Sequence, residues 1–258
     1  RKFDYALAVN GMRQILWGLF KKLVIADNCA VFANQIFNGS EDFGGSTLFL
    51  GGIFFAFQIY GDFSGYSDIA IGTSRLFGFD LMKNFAFPYF SRDMAEFWRR
   101  WHISLSTWFR DYLYIPLGGS RGTKLHQVRN VFIIFLVSGF WHGANWTFIL
   151  WGGLNAIYFL PLLLLKQNRS NLEVVASHSF LPNIRDTFRI LITFALTVLA
   201  WISFRTEDIG HASQIYSEIF SMSLIYYPSD IMSSKLFMCV VLVIGFVGIE
   251  WVGRKREF

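Results

Sequence analysis

The chain has 258 residues, 53% of them hydrophobic, 19% aromatic and 16% charged, with a formal net charge of +5. Soluble domains carry about 25% charged residues. So little charge beside 30 Phe and 9 Trp sets aside a soluble enzyme and points to lipid as the solvent, where charged side chains are costly. The two cysteines, Cys29 and Cys239, make neither a disulfide framework nor a zinc-ligand spacing, and they read as small apolar fillers. The chain opens on Arg1 without a signal peptide pattern, so it reads as a piece of a longer protein.

In the first 40 residues, Leu16, Leu19, Phe20 and Leu23 keep helical spacing, while Arg13, Lys21, Lys22 and Asp27 interrupt the apolar pattern. That predicts an interfacial or partly buried amphipathic helix, with a span possible over Asn28–Phe43. Residues 43–61 are uncharged, enough for one span of about 20 residues. The run continues through Gly72, interrupted only by Asp62 and Asp68. Gly61 and Gly65 predict a broken helix, with Ser64, Ser67 or the carboxylates meeting the freed backbone groups.

Over Ser91–Tyr114, the residues Phe97, Trp101, Leu105, Trp108 and Tyr112 form one helical stripe. Ser91 is the expected cap, and Pro116, Gly118 and Gly119 end the helix. A helix this aromatic and this basic is expected in or re-entering the membrane. Residues 131–165 carry no Asp, Glu, Lys or Arg. That is too long for one straight span, so two segments, or one helix bent at Gly139, Gly143 and Gly152-Gly153, are expected.

Residues 166–186 read as a polar loop and 190–204 as a span flanked by Arg189 and Arg205. An amphipathic helix follows at 211–222, then a span at 236–249 and the basic tail Arg254-Lys255-Arg256. There is no internal repeat. The predicted fold class is all-α, a polytopic integral membrane protein, with residues 1–258 forming a single membrane domain. Residues 75–129 hold nine Lys/Arg against four Asp/Glu. Such a basic connection beside spans reads as cytoplasmic by the positive-inside rule. Its interleaved Trp, Phe and Leu argue against a nucleic-acid partner.

His142 stands in the uncharged run within Phe140-Trp141-His142-Gly143-Ala144-Asn145-Trp146. An ionisable group at membrane depth is a functional candidate by default. A neutral imidazole can take a proton from a hydroxyl, as acyl transfer to an alcohol requires. Asn145 adds a donor near the same turn. The alternative is a histidine hydrogen-bonded between helices for packing. His102, beside Ser104 and Ser106 on the aromatic helix, is a weaker candidate. His126, His178 and His211 sit in polar surroundings and read as surface residues. Asp62 and Asp68 are either caps and a buried pair with an arginine such as Arg99 or Arg110, or the wall of a polar cavity or a proton relay. No Gly-x-Ser-x-Gly elbow, P-loop, His-Glu-x-x-His or dinucleotide fingerprint is present, and no metal site is expected.

At these residues the sequence resembles the membrane-bound O-acyltransferase family, and within it the alginate O-acetyltransferase branch. The resemblance is carried in order by the segments Gly18–Asp27, Asp62–Asp68, Glu96–Ser106, Trp108–Tyr112 with Ile115–Gly119, and Phe140–Trp146. It is dense over residues 11–160, and Trp201-Ile202-Ser203-Phe204-Arg205 still fits beyond that. It implies helices around a central pore and a chain making up roughly the C-terminal two thirds of the usual protein. His142 matches the family's essential histidine and His102 its second.

The resemblance further implies a multi-pass protein of the bacterial inner membrane. Such a protein moves an acyl group, most simply acetyl, from a cytoplasmic thioester to an exported polysaccharide such as alginate. The donor would be acetyl-CoA or an acyl carrier, no cofactor would be bound, and the partners would be the lipid bilayer and periplasmic acetylation proteins. Asp62, Asp68, Trp98, Arg110, Trp141 and Asn145 would line the pore. Gly61 departs from the pattern, which has a larger aromatic residue there. The alternatives are D-alanyl or other acyl transfer to a cell-wall polymer, and a transporter or scaffold of the same export pathway. The missing repeat weighs against the transporter.

Overall fold

The computed structural model describes residues 4–255, so Arg256 of the basic tail lies outside the described residues. Among these residues, ten α-helices and no strand occur. In order they are α1 (Tyr5–Phe20), α2 (Asp27–Asn38), α3 (Gly45–Leu76), α4 (Met94–Arg100), α5 (Ile103–Phe109), α6 (Lys124–His142), α7 (Trp146–Leu164), α8 (Ile184–Arg205), α9 (Ile209–Ile219) and α10 (Ser234–Gly253). By length and composition, α3, α7, α8 and α10 are each able to cross a membrane. The chain divides into two compact units. Among the described residues, one is 4–84 together with Gln214–Gly253, and the other is Phe85–Ser213 with Arg254 and Lys255.

In the first unit, α1 and α2 are joined without a loop by a π-helical segment, Lys21–Ala26. A π segment inside a longer helix is uncommon and is often tied to function. No membrane-length helix covers Asn28–Phe43, because α2 ends at Asn38 and a 3₁₀ turn follows at Ser40–Asp42. The helix α3 runs unbroken for 32 residues, so the break expected at Gly61 and Gly65 is not there. Those glycines serve a close approach of backbones instead. A Cβ on Gly65 would lie 2.7 Å from the Gly18 carbonyl oxygen, and one on Gly18 would lie 2.5 Å from that of Gly65. Small residues at a helix contact bring backbones together where lipid supplies little driving force. Gly61 meets the π segment itself, since a Cβ there would sit 2.9 Å from the Lys21 carbonyl oxygen. The missing aromatic at this position therefore has a local cause. The two cysteines are buried on α2 and α10 with their Sγ atoms 3.9 Å apart.

The charged groups around the π segment are paired. Lys21 is buried and meets Asp68 at 2.6 Å, with the Ser64 hydroxyl at 3.2 Å. Asp68 also accepts from Gln14 Nε2 at 3.0 Å, and Gln14 Oε1 accepts from Arg75 at 2.7 Å. Lys22 pairs with Asp62 at 2.6 Å and with Asp27 at 2.8 Å. The buried Glu250 of α10 accepts from the Tyr60 hydroxyl at 2.8 and 3.0 Å. The partners of Asp62 and Asp68 are thus lysines of the π segment, not an arginine.

The second unit corrects the single helix expected over Ser91–Tyr114. The N-cap is Asp93, whose carboxylate accepts from Glu96 N at 2.7 Å, not Ser91. Ser91 instead donates to the Pro88 carbonyl at 2.6 Å. The helix α4 stops at Arg100. In a continuous helix the Arg100 carbonyl would accept from Ser104, but here it is taken by the Ala86 N–H at 3.0 Å. The chain breaks at Trp101–His102, continues as α5, and ends in a π-helical turn at Arg110–Tyr114. The stripe read from Phe97 to Tyr112 therefore belongs to two helices. Glu96, only 1% exposed, lies between Arg92 at 3.0 Å and Arg100 at 2.8 Å. Both arginines also donate to the Glu173 carbonyl, and Arg99 donates to the carbonyls of Asn168 and Asn171. These bonds tie down the loop that the sequence places after residue 165.

The uncharged run 131–165 forms two helices, α6 and α7, separated at Gly143–Asn145. They pack closely around two glycines: a Cβ on Gly139 would run into the Phe148 carbonyl, and one on Gly152 into the Phe135 carbonyl. Nothing lies within 4 Å of a Cβ built on the neighbouring Gly153. Replacing Gly152 with Ala is therefore expected to cost about 1–3 kcal/mol through overpacking. Gly153→Ala is expected to be neutral or to gain about 0.5–1 kcal/mol. Thermal unfolding of the two variants in detergent checks the contrast, and equal melting temperatures would contradict the packing described.

Candidate functional site

His142 is the last residue of α6, where the chain leaves the helix for the extended Gly143. Asn145 then starts α7. Its carbonyl oxygen accepts from Thr147 N at 3.1 Å, and its amide donates to the Glu207 carbonyl at 2.6 Å. The donor read from the sequence is thus spent on holding the segment after α8, while the side-chain oxygen caps α7. What Asn145 fixes is the turn that presents His142.

The imidazole sits among aromatic rings. Trp141 lies 5.1 Å away, Trp151 of α7 5.3 Å and Phe204 of α8 5.1 Å, all close to edge-on. Phe148 follows at 6.3 Å. Trp151 and Phe204 are themselves edge-on at 5.5 Å, which closes the socket on two sides. His142 keeps an open face, and Trp141 and Trp146 beside it are exposed.

His102 stands at the break between α4 and α5 in a left-handed backbone conformation, with φ +45°. Non-glycine residues adopt this conformation at an energetic cost, and such positions gather at functional sites. Burial, and to a lesser extent the charge of His142, lowers the His102 pKa to about 4. The two imidazoles are therefore within electrostatic reach of each other, and His102 is neutral at physiological pH. The link runs through stacked rings as well. Trp101, next to His102, meets Trp201 at 5.1 Å, and Trp201 stacks on Trp151 at 5.8 Å.

Among the residues singled out from sequence, the structure brings His102, His142, Trp98, Trp141 and Asn145 into one unit. Trp98 meets Trp151 edge-on at 5.7 Å. Arg110 belongs to the same unit but pairs with its neighbour Asp111 at 2.7 Å on an exposed turn. Asp62 and Asp68 belong to the other unit and are taken up by Lys22 and Lys21. No group of three or more His, Cys, Asp or Glu able to hold a metal ion occurs among the described residues. The sequence reading missed Trp151, Phe148 and Phe204 as walls of the socket. Trp201 and Phe204, three apart on α8, share a helix face, and that spacing was the available signal.

Over residues 6–204 the sequence matches the profile of MBOAT, the membrane-bound O-acyltransferase family. It is 41% identical over 250 residues to a probable alginate O-acetylase AlgI of Pseudomonas aeruginosa, an alignment covering 96% of this chain and 46% of the relative. It is 42% identical over 199 residues to a peptidoglycan O-acetyltransferase of Helicobacter pylori, covering 77% of this chain and 36% of that protein. A teichoic acid D-alanyltransferase of Bacillus subtilis is 36% identical over 104 residues, covering 37% of this chain and 26% of its own length. The chain spans about half the length or less of these relatives, a smaller share than the two thirds expected from the resemblance. With the family profile matched over most of its length and helices able to cross a membrane, the chain belongs to the membrane-bound O-acyltransferase family.

Proposed function

We propose that this chain carries the reaction centre of an O-acyltransferase that moves an acyl group, most simply acetyl, from a thioester to hydroxyls of an exported polysaccharide such as alginate. The observation that carries this reading is His142 in an aromatic socket, within electrostatic reach of a second, neutral histidine. In the proposed reaction the acceptor hydroxyl oxygen attacks the thioester carbonyl carbon. The imidazole of His142 takes the hydroxyl proton as the C–O bond forms. The C–S bond then breaks, the thiolate leaves with the electron pair, and the proton passes from the imidazolium to the sulfur. The products are an ester and a free thiol, and His142 returns neutral.

The aromatic walls of Trp151 and Phe204 bound the imidazole on two sides and leave its open face for the reactants. His102 lies on the donor side, Trp98 and Trp141 line the path, and Asn145 positions His142 by capping α7. In this reading residues 1–258 act as one membrane domain in the bacterial inner membrane. Acetyl-CoA or an acyl carrier supplies the donor from the cytoplasmic side, and periplasmic acetylation proteins receive the product side. The two acetyltransferase relatives favour acetyl over D-alanyl, since they align over far more of the chain.

The test uses the full-length protein with its polymer pathway. His142→Gln is expected to lower polymer acetyl ester by about 100-fold or more at unchanged protein level, and retained acetylation would overturn the catalytic assignment. A second expectation concerns pH. His102 is neutral above about pH 4, so it adds no ionisation between pH 5 and 8. The residual activity of His102→Asn is then expected to keep the acid limb of the wild-type profile. A displaced limb would show that His102 titrates in that range.

A further inference from the structure

Buried polar side-chain atoms nearly always find a partner, because an unmet donor in an apolar setting is costly. Among the described residues four buried side-chain atoms have none: Gln58 Oε1, Trp98 Nε1, Thr147 Oγ1 and Trp201 Nε1. Three of these, Trp98, Thr147 and Trp201, belong to the unit that holds His142. The two indoles flank Trp151, the ring that His142 meets edge-on. Trp201 stacks on it at 5.8 Å, 20° from parallel, and Trp98 stands edge-on at 5.7 Å. Thr147 opens the first turn of the helix that carries Trp151.

Trp201 is the sharpest case. It is only 2% exposed, and its neighbours Trp101, Trp151 and Phe204 are all rings. An indole N–H can only donate, and the rings around it offer no oxygen or nitrogen acceptor. Packing alone would be served as well by a residue without that group. Phe204, which meets both Trp201 and the His142 imidazole, places this donor one ring away from the reacting base.

We propose that the Trp201 indole N–H holds the carbonyl oxygen of the acyl group during transfer, with the Trp98 N–H as its companion. This rests on the O-acyltransferase reading and adds to it the group that meets the developing negative charge. As the acceptor oxygen bonds to the carbonyl carbon, the carbonyl π pair moves onto oxygen, and the N–H donates to that oxyanion. When the pair returns, the C–S bond breaks and the thiolate takes the proton held by His142. A preset donor of this kind typically changes the rate by about 100-fold or more. A thioester carbonyl is a chemically suitable ligand, because it brings an acceptor to the two unmet indole donors.

The test compares acetyl-CoA with its dithioester analogue, whose C=S accepts hydrogen bonds poorly, in membranes containing the full-length protein and its acceptor pathway. Wild type is expected to transfer from the dithioester far more slowly than from the thioester. Trp201→Phe is expected to lose about 100-fold in kcat with acetyl-CoA, with KM little changed, and to use the two donors at nearly equal rates. Placing β-(3-benzothienyl)alanine at position 201, which keeps the bicyclic ring and replaces N–H by sulfur, is expected to do the same and covers the case in which the smaller Phe misfolds. Wild-type donor discrimination in either variant would overturn the proposal. His142→Gln run in parallel separates the two failures. Lost transfer in that variant beside a wild-type-like position 201 removes only the N–H assignment, whereas retained transfer removes the underlying reading.

Discussion

A carboxylate with almost no exposed surface, Glu96, sits between Arg92 and Arg100 within a chain otherwise poor in charge. Removing Glu96 would leave Arg92 and Arg100 without their shared carboxylate, at a cost of about 3–5 kcal/mol. The arrangement also decides geometry. Arg100 is held inward, where its guanidinium donates to the Ala86 carbonyl while its own carbonyl accepts from Ala86 N–H. With that carbonyl occupied, α4 cannot continue. The chain turns at Trp101, His102 takes a left-handed conformation, and α5 departs in a new direction. The same arginines hold the Glu173 carbonyl, so the loop after α7 is fixed by the charge set that fixes His102.

The other histidine reaches its place by different means. No charge anchors it, because residues 131–165 contain none. Close helix packing around Gly139 and Gly152, and the cap supplied by Asn145, set the end of α6 against the start of α7. At the end of α6 the imidazole lies in space shaped by neighbouring helices. Here that space is bounded by Trp151 and Phe204. In the first unit, polarity is handled by exact pairing within helices instead. Lys21 and Lys22 come from the π-helical segment, whose wider turn places successive lysines toward two carboxylates of α3 that lie on different faces.

Much of this was legible in the sequence because apolar periodicity and runs without charge report directly on helices in lipid. The helices α3, α8 and α10 fall on the runs that predict spans, and the run 131–165 divides where glycine and asparagine interrupt it. The errors share one cause, which is competition for backbone groups by residues distant in sequence. Nothing local distinguishes Arg92-x-x-x-Glu96-x-x-x-Arg100 on a long surface helix from the same spacing closing on a buried carboxylate, so the break at His102 was not visible. Gly61 and Gly65 read as breakers because their partners on α1 and the π segment lie some 40 residues away in the chain. For the candidate site, His142 stood out through its uncharged setting, and Trp98, Trp141 and Asn145 through their neighbourhood. Trp151 and Phe148 are aromatic residues in an aromatic chain, and only their ring geometry separates them from the rest.

The central claim is that acyl transfer takes place against the aromatic wall around His142. Photoaffinity labelling of the full-length protein with an acyl thioester bearing a diazirine near the carbonyl, followed by peptide mapping, addresses it most directly. Labels are expected on the segment Trp141–Trp151 and on α8 at Trp201–Phe204, and to be competed away by unlabelled donor. Competed labelling confined to the Lys21 and Asp62–Asp68 segments, with none on the His142 side, would place the acyl group elsewhere and contradict the claim.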